Sequence, residues 1–320
     1  MPPLPISLEK MRIAIFGAGA IGTTLAALLA RAGFTVSVVA RGEHLSAMQR
    51  QGIKLTTPRE EFVVRVIASA DTRQLGQQDL VFCTLKAYSL PQAAPDILPL
   101  LGDNTPVIFA QNGLPWWYFE QVNQRDLREM IDLKRVIGCV VQCPATLVAP
   151  GEIRLANHQI NFILGETTTR LTPRLNEIKA QLQDALPITL TDQIHHEIWK
   201  KLRINVASSL LTLLTQSYTA DILNHPALKL QFQQLLEETR AVAAYYGVDI
   251  APVDEAQLAS LGAQRHAPSM LQDLLAHRPL EIDAQLQILH RLGQKADVAT
   301  PLLDILLPIL QQRARASVRL

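Results

Sequence analysis

A glycine-rich loop near the N-terminus constrains the fold of this 320-residue chain more than any other feature. The loop consists of Gly17, Ala18, Gly19, Ala20, Ile21 and Gly22. It follows the apolar run Arg12–Phe16 and opens a helical pattern at residues 21–32. In such a setting the glycines permit a tight turn, close approach of a pyrophosphate and close helix–strand packing, while the helix N-terminus supplies N–H donors. The pattern predicts that these six residues bind a dinucleotide; a glycine turn without a ligand is the alternative.

The residue that follows the second predicted strand, at 34–40, indicates which dinucleotide binds. An enzyme that uses NAD would place Asp or Glu there, to accept a hydrogen bond from the ribose 2′-hydroxyl. This chain instead has Arg41, 19 residues after Gly22. A guanidinium suits a 2′-phosphate, which it can bind with two hydrogen bonds. The sequence therefore favours NADP(H), although a solvated Arg41 with Glu43 holding a ribose remains the alternative.

The sequence pattern changes after about Val136, where strands follow one another, and the domain boundary is predicted near Asp192. Before that point short β-branched runs alternate with helical stretches, as a parallel sheet covered by helices requires. Strands are predicted at 12–16, 34–40, 62–68, 79–84, 106–110, 136–141, 152–155, 160–164 and 188–190, and helices at 21–32, 87–100 and 174–186. Beyond residue 191 the pattern is helical, with breaks at Pro226, Gly247, Pro268, Pro279 and Pro301. We expect a disordered tail at 1–10, an α/β Rossmann-type domain at 11–192 and an all-α domain at 193–320.

The charge balance excludes polyanionic partners. Thirty Lys and Arg residues stand against 29 Asp and Glu residues, for a net charge of +1. A protein that binds nucleic acid or an anionic membrane carries a basic excess, because phosphate contacts dominate those affinities.

The chain shows no signal-peptide pattern and no apolar run of about 20 residues, so a soluble, cytoplasmic protein is expected. Residues 302–310 are apolar and could form core or a subunit interface, so a homodimer is left open.

Polar residues follow two further predicted strands. Lys86 comes after the fourth strand and Asn112, next to Gly113, after the fifth. The carboxyl ends of parallel strands are where ligands bind in such sheets. An ordinary surface lysine and a plain Asn-Gly turn are the alternatives.

The helical half contains a line of polar residues at helical spacing. Lys201, Asn205 and Ser209 lie at positions i, i+4 and i+8. From spacing alone a solvent-exposed face is the favoured interpretation. Farther on, Ser269 after Pro268 could cap a helix. Glu281 stands where an acidic residue would complement a helix dipole.

Together these residues resemble the ketopantoate reductase family, also called 2-dehydropantoate 2-reductase. The resemblance spans the chain from Met11 and rests on the order and spacing of several motifs. They are GAGAIG at 17–22, TLKAY at 84–88, QNG at 111–113, PGEI at 150–153, WKKLRIN at 199–205, SMLQD at 269–273 and EID at 281–283.

The resemblance implies NADPH-dependent reduction of 2-dehydropantoate, a small anionic 2-keto acid, in pantothenate biosynthesis. It also implies a C-terminal domain like that of 6-phosphogluconate dehydrogenase. No metal is expected, because the adjacent His195 and His196 would point about 100° apart on a helix and the metalloprotease order HExxH is not met. Lys201 is similar to the general acid of the family, and Glu281 to the carboxylate that faces it. The implied cofactor contacts are the glycine loop, Arg41, Lys86 and Asn112, and the implied substrate contacts are Asn112, Lys201, Asn205, Ser209, Ser269 and Glu281.

Three departures from the family pattern concern the substrate. Ser209 replaces a second Asn, and Leu286-Gln287 replace an Asn-Gly pair. Trp116-Trp117 follow the QNG motif and could pack in the core or reshape the pocket. A related reductase of another 2-keto acid is therefore one alternative. A non-catalytic NADPH sensor is another, although such a protein would need neither Lys201 nor Glu281.

Overall fold

The computed structural model of the chain describes residues 10–118, 125–263 and 265–317. These residues form two compact units. The first contains the described residues up to Leu85, together with Gln92–Ala110 and Leu127–Asp192. The second contains Lys86–Pro91, the described residues between Gln111 and Asp126, and those from Gln193 onward. Lys86–Pro91 and the described residues between Gln111 and Asp126 thus group with the second unit, whereas the sequence predicts that they belong to the domain at 11–192. Of the tail expected at 1–10, only Lys10 is described.

All strands of the described chain lie in the first unit. They are β1 Arg12–Phe16, β2 Thr35–Val39, β3 Ile53–Thr56, β4 Glu61–Val64, β5 Ile67–Ser69, β6 Leu80–Cys83, β7 Val107–Phe109, β8 Val136–Gln142, β9 Ala145–Ala149, β10 Glu152–Leu155, β11 Asn161–Glu166 and β12 Ile188–Leu190. An eight-stranded sheet has the order β12-β11-β8-β7-β6-β1-β2-β5, and a four-stranded sheet the order β4-β3-β10-β9.

The larger sheet confirms the Rossmann-type prediction. Its six strands from β5 to β8 are parallel, in the order β5-β2-β1-β6-β7-β8. That order matches the strand order 3-2-1-4-5-6 of dinucleotide-binding folds, with β1 beside the point where the order reverses. β11 then pairs antiparallel with β8 and parallel with β12. β6 is apolar throughout, and β1 is apolar after its first residue, Arg12, because both faces of these inner strands are buried.

The smaller sheet corrects one predicted strand. The run expected as a single strand at 62–68 forms two strands, β4 and β5, which belong to different sheets. β3 and β9 were not predicted. β3 pairs with β4 but also, in parallel, with β10, about a hundred residues away in sequence. Pairing over such a distance leaves no local trace in the sequence.

The α-helices alternate with the strands in the first half and fill the second. They are α1 Ala20–Arg31, α2 Gly42–Gln51, α3 Leu90–Ala93, α4 Arg125–Met130, α5 Pro173–Leu182, α6 Ile194–Thr215, α7 Thr219–Leu223, α8 Pro226–Tyr245, α9 Glu255–Gly262, α10 Ser269–Leu275, α11 Ile288–Ala296 and α12 Pro301–Ser317. Among the described residues, no helix combines the length and hydropathy needed to span a bilayer.

The helix predicted at 87–100 is largely absent. Residues Ala87–Ser89 and Ala94–Leu100 form 3₁₀ turns, and only the four residues of α3 between them are α-helical. Prolines at 91, 95 and 99 explain the difference, because each lacks the N–H that an α-helical hydrogen bond requires.

α6 forms the centre of the second unit and confirms the helical prediction for this half. Trp199, Leu202 and Val206 on one of its stripes are fully buried. The helix packs against α8, α10 and α12, and against a π-helical turn, Asp283–Gln287, that immediately precedes α11. Turns of the π type are frequent at functional sites.

Candidate functional site

The glycine loop in the first unit has the conformation that its sequence requires. Gly17 has φ +120°, a backbone conformation that residues with a side chain rarely adopt. A β-carbon on Gly22 would lie 2.0 Å from the Gly17 carbonyl oxygen, so the third glycine is needed for close packing. The Thr84 hydroxyl, just after β6, donates a 2.9 Å hydrogen bond to that same carbonyl. The loop is thereby fixed in place by the neighbouring strand end.

The N-terminus of α1 offers space and donors for an anion. A β-carbon on Gly19, the residue that precedes α1, would meet no atom within 4 Å among the described residues. No side chain in that part of the chain caps the first turn, so its N–H groups remain available. Free N–H groups and the positive end of the helix dipole attract phosphate. The loop therefore fits the pyrophosphate of a dinucleotide.

Arg41 occupies the predicted position after β2. It directly precedes α2, and 70% of its side chain is exposed. Its Nη2 atom lies 2.9 Å from a carboxylate oxygen of Asp96. An ion pair this exposed contributes about 0–1 kcal/mol, so it would not prevent Arg41 from binding a phosphate.

In the second unit, Lys86 binds two buried carboxylates. Its Nζ lies 2.9 Å from Oε2 of Glu281 and 3.0 Å from Oδ2 of Asp273. Glu281 is only 2% exposed, and its second oxygen accepts a hydrogen bond of 3.3 Å from the Ala87 amide. Lys86 is thus not an ordinary surface lysine: it holds Glu281 in one orientation.

Asp273 is shared between two cations. Its Oδ1 accepts a hydrogen bond of 2.9 Å from Arg278 Nε, while Oδ2 binds Lys86. Burial alone would lower the pKa of Lys86, but the charges of Glu281 and Asp273 raise it above its ordinary value of 10.5. Lys86 therefore stays protonated over the whole physiological range.

The Asn112–Gly113 turn is fixed against the π-helical turn. Gly113 has φ +83°, and a β-carbon there would lie 2.1 Å from the carbonyl oxygen of Ala284. The same oxygen accepts a hydrogen bond of 3.1 Å from the amide of Leu114. Asn112 is half-buried and directly precedes this contact. The backbone at Asn112–Gly113 forms a turn, as the alternative predicted. This turn leaves a ligand contact by the Asn112 side chain compatible with the structure.

The polar line on α6 is not a solvent-exposed face. Lys201 and Asn205 are half-buried, and Ser209 is buried. The neighbouring Lys200, by contrast, is exposed and lies 3.0 Å from Glu197, one turn earlier. The interpretation favoured by spacing alone was wrong, because it ignored that α6 is covered by α10 and the π-helical turn.

Ser269 begins α10 as its first residue, and Pro268 precedes it, so the expectation that Ser269 caps the helix was wrong. Ser269 is exposed and lies one turn before Asp273 on the same face. Sequence reasoning missed Asp273 and its partner Arg278. The four-residue spacing between Ser269 and Asp273 was the available signal.

An aromatic cluster surrounds the start of α6. The ring of Tyr118 lies 4.5 Å from that of His195, edge to face, and its hydroxyl accepts a hydrogen bond of 2.8 Å from Trp199 Nε1. Trp117 is buried and stacks on Tyr118. Burial lowers the pKa of His195 and raises that of Tyr118 to about 12. These contacts favour the core-packing interpretation of Trp117.

Within the described residues no group of His, Cys, Asp and Glu is placed to hold a metal ion.

Family profiles match both halves of the chain. The profile described as Ketopantoate reductase PanE/ApbA matches residues 13–168, and that of its C-terminal part matches residues 193–314. The chain belongs to the ketopantoate reductase family. This membership places it among oxidoreductases that act on CH–OH groups.

Individual members of the ketopantoate reductase family resemble the chain over its length. A 2-dehydropantoate 2-reductase of Mesorhizobium japonicum is 38% identical, over 95% of this chain and 98% of that protein. The crystal structure of a 2-dehydropantoate 2-reductase from Geobacter metallireducens superposes with a TM-score of 0.85 at 28% identity, covering 94% of this chain and 99% of the other. A D-mandelate dehydrogenase solved with NADH and anilino(oxo)acetate has a TM-score of 0.85 at 22% identity, over 96% and 99% of the two chains, and shares the fold.

Proposed function

We propose that this member of the ketopantoate reductase family reduces 2-dehydropantoate to pantoate, with NADPH as hydride donor and Lys201 as proton donor. The observation that carries the proposal is the 38% identity to a 2-dehydropantoate 2-reductase over nearly the whole of both chains. The reaction would place the protein in pantothenate biosynthesis, in the cytoplasm.

The glycine loop and Arg41 support the proposed cofactor. The open N-terminus of α1 fits a pyrophosphate, and a neighbour with the same fold was solved with NADH. NADP(H) rather than NAD(H) is proposed because the side chain after β2 is a largely exposed arginine. When bound, the nicotinamide supplies the hydride that reduces the keto carbon.

Lys201 is proposed to bind the keto oxygen and protonate it. Negative charge builds on that oxygen as hydride reaches the carbon, and the ammonium group stabilises the charge before its proton is transferred. A single well-placed donor of this kind contributes about 3–4 kcal/mol to transition-state stabilisation. Its half-buried position on a helix gives the fixed geometry that such catalysis needs.

The remaining residues are proposed to position substrate and cofactor. Asn112 would contact both, and Lys86 would contribute to the cofactor site. Asn205, Ser209 and Ser269 would donate hydrogen bonds to the substrate. Glu281, held by Lys86 and the Ala87 amide, would orient the groups around it.

Reduction of a different 2-keto acid is the second candidate. It is favoured by Trp116 close after the Asn112 turn and by the D-mandelate dehydrogenase neighbour, which was solved with anilino(oxo)acetate. A steady-state panel of keto acids, each assayed with NADPH and NADH, separates the two candidates. The proposal expects the highest kcat/KM for 2-dehydropantoate with NADPH, and a clearly higher value for another keto acid would favour the second candidate.

Lys201→Ala tests the proton donor. The variant should lose about two to four orders of magnitude in kcat, because general acid catalysis and charge stabilisation are both removed. NADPH affinity, measured by fluorescence titration, should be retained.

Lys200→Ala is the matched control, since this adjacent lysine is exposed and pairs with Glu197. It should keep wild-type kcat. Equal effects of the two substitutions, or an unchanged kcat in Lys201→Ala, would remove Lys201 from the mechanism.

A further inference from the structure

The side chain of Gln285 is buried without hydrogen-bond partners. It is 1% exposed, and among the described residues neither its Oε1 nor its Nε2 has a partner. Buried carboxamides are nearly always satisfied, because an unpaired polar group loses its hydrogen bonds to water and gains none in return. An apolar side chain of the same size would avoid this cost, so Gln285 does not stabilise the free protein through its amide.

Gln285 lies beside the residues that form the candidate site. It occupies the π-helical turn, four residues after Glu281, and residues at this spacing share a helix face. On its other side, a β-carbon built on Gly113 would lie 3.1 Å from Gln285 Cγ. The side chain therefore packs directly against the turn that carries Asn112.

The chemistry of a carboxamide selects its partner. Gln285 offers both an acceptor and two donors. A substrate carboxylate could accept hydrogen bonds only from Nε2 of Gln285, and a methyl group could form hydrogen bonds with neither Nε2 nor Oε1. A hydroxyl can donate to Oε1 or accept from Nε2, so it satisfies either end. 2-Dehydropantoate carries one such hydroxyl at the end of its branched chain, remote from the keto group.

We propose that Gln285 binds this terminal hydroxyl and so selects 2-keto acids that carry it. The inference rests on the proposed function and adds a specificity-determining residue to it. Because both amide atoms are enclosed in the free protein, the side chain turns about its three rotatable bonds to meet the substrate. Sites that hydrogen-bond a substrate hydroxyl discriminate strongly against the analogue that lacks it.

Gln285→Met tests the proposal, since methionine has a similar length and no amide. Trimethylpyruvate is the matched substrate, because it differs from 2-dehydropantoate only in lacking the hydroxyl. The kcat/KM for 2-dehydropantoate should fall about tenfold, as expected for one lost hydrogen bond. That for trimethylpyruvate should change less than about twofold. The melting temperature should stay the same or rise by about 2–4 °C, because a buried unpaired amide has been removed.

Gln294→Met, at an exposed position of α11, is the control and should leave both kcat/KM values unchanged. Equal losses for the two substrates in Gln285→Met, or no change for either, would overturn the inference, as would a melting temperature lowered by several degrees. Should the methionine variant fail to fold, Gln285→Leu gives the same comparison. No turnover of either substrate by the wild type would instead overturn the proposed function.

Discussion

Lys86 holds three parts of the second unit together. Its ammonium group binds Glu281, just before the π-helical turn, and Asp273 on α10. Asp273 in turn binds Arg278. Two carboxylates and two cations alternate, so each buried charge has a partner of opposite sign. Such a cluster is strongly destabilised when one member is removed, because the others remain buried with fewer partners.

Asp273→Asn should reduce the free energy of unfolding of the second unit by about 1–3 kcal/mol at neutral pH. It should also change the dependence on alkaline pH. A raised pKa means that the folded protein keeps the Lys86 proton to higher pH than the unfolded chain does. The stability from Lys86 is therefore complete below pH 10.5 and is lost as pH rises through the folded-state pKa. With one of the two carboxylates gone, the folded-state pKa should be less raised, so the alkaline loss should be smaller and complete at lower pH.

Urea denaturation followed by tryptophan fluorescence, at neutral pH and across the alkaline range, measures both effects. Asp283→Asn is the control, because Asp283 is exposed on the adjacent turn. It should change stability by less than about 0.5 kcal/mol. The same alkaline profile in wild type and Asp273→Asn would contradict the role given to Asp273.

The contacts of this cluster could not be read from the sequence. Lys86 and Glu281 are 195 residues apart; the position after a strand singled out Lys86, whereas only the resemblance to a family gave Glu281 a role at the site. The contacts of Glu281 with Lys86 and with the Ala87 amide were not predicted, and the expectation that Glu281 faces Lys201 stays a prediction. Helical spacing shows which residues share a face but not whether another element covers that face. For this reason the polar line of α6 was wrongly interpreted as solvent-exposed.

At the scale of elements, the N-terminus of α12 is capped by a carboxylate from another helix. Glu238 on α8 is buried and accepts hydrogen bonds of 2.9 and 3.0 Å from the amides of Leu302 and Leu303. These amides lie in the first turn of α12 and have no partner within their own helix. The negative charge also complements the dipole of α12. Glu238 thus fixes where α12 starts and how it packs on α8.

Glu238→Gln should lower the free energy of unfolding by about 1–2 kcal/mol, since an amide retains one acceptor and loses the charge. Glu237→Gln is the neighbouring control, because Glu237 is exposed and pairs with Arg240 at the surface. Its effect should stay below about 0.5 kcal/mol in the same urea titration. Similar losses in both variants would show that α12 does not depend on Glu238.

The elements that sequence patterns predicted well are those whose partners are close in the chain. β1, α1 and β2 follow one another directly, and the glycine loop fixes the turn between the first two. The run at 62–68 failed because hydrophobic content cannot show that a chain leaves one sheet and enters another. The helix at 87–100 failed for a local reason, since the spacing of its three prolines was visible in the sequence.

At the scale of the whole molecule, the two units can be observed separately. All three tryptophans, Trp116, Trp117 and Trp199, lie in the second unit, whereas the described strands and the glycine loop lie in the first. Tryptophan fluorescence therefore reports on the second unit alone, whereas far-UV circular dichroism reports on both, so a transition seen only by circular dichroism belongs to the first unit. The net charge of +1 gives little long-range attraction for an anion, so recognition of the cofactor must depend on individual residues.

NADPH at about 100 times its Kd should stabilise the first unit by about 2.7 kcal/mol and raise the midpoint of its thermal transition by about 5–10 °C. Arg41→Ala should shrink this shift by half or more, because a hydrogen bond to a charged group contributes about 1.5–3 kcal/mol. The shift produced by NADH should be unchanged, since NADH lacks the 2′-phosphate. Arg50→Ala, at the exposed far end of α2, is the control and should preserve both shifts. Because the total charge is balanced, binding of the 2′-phosphate depends on the single guanidinium of Arg41. Equal losses of the thermal shift with NADPH and NADH in Arg41→Ala would show that the 2′-phosphate is bound elsewhere or not at all.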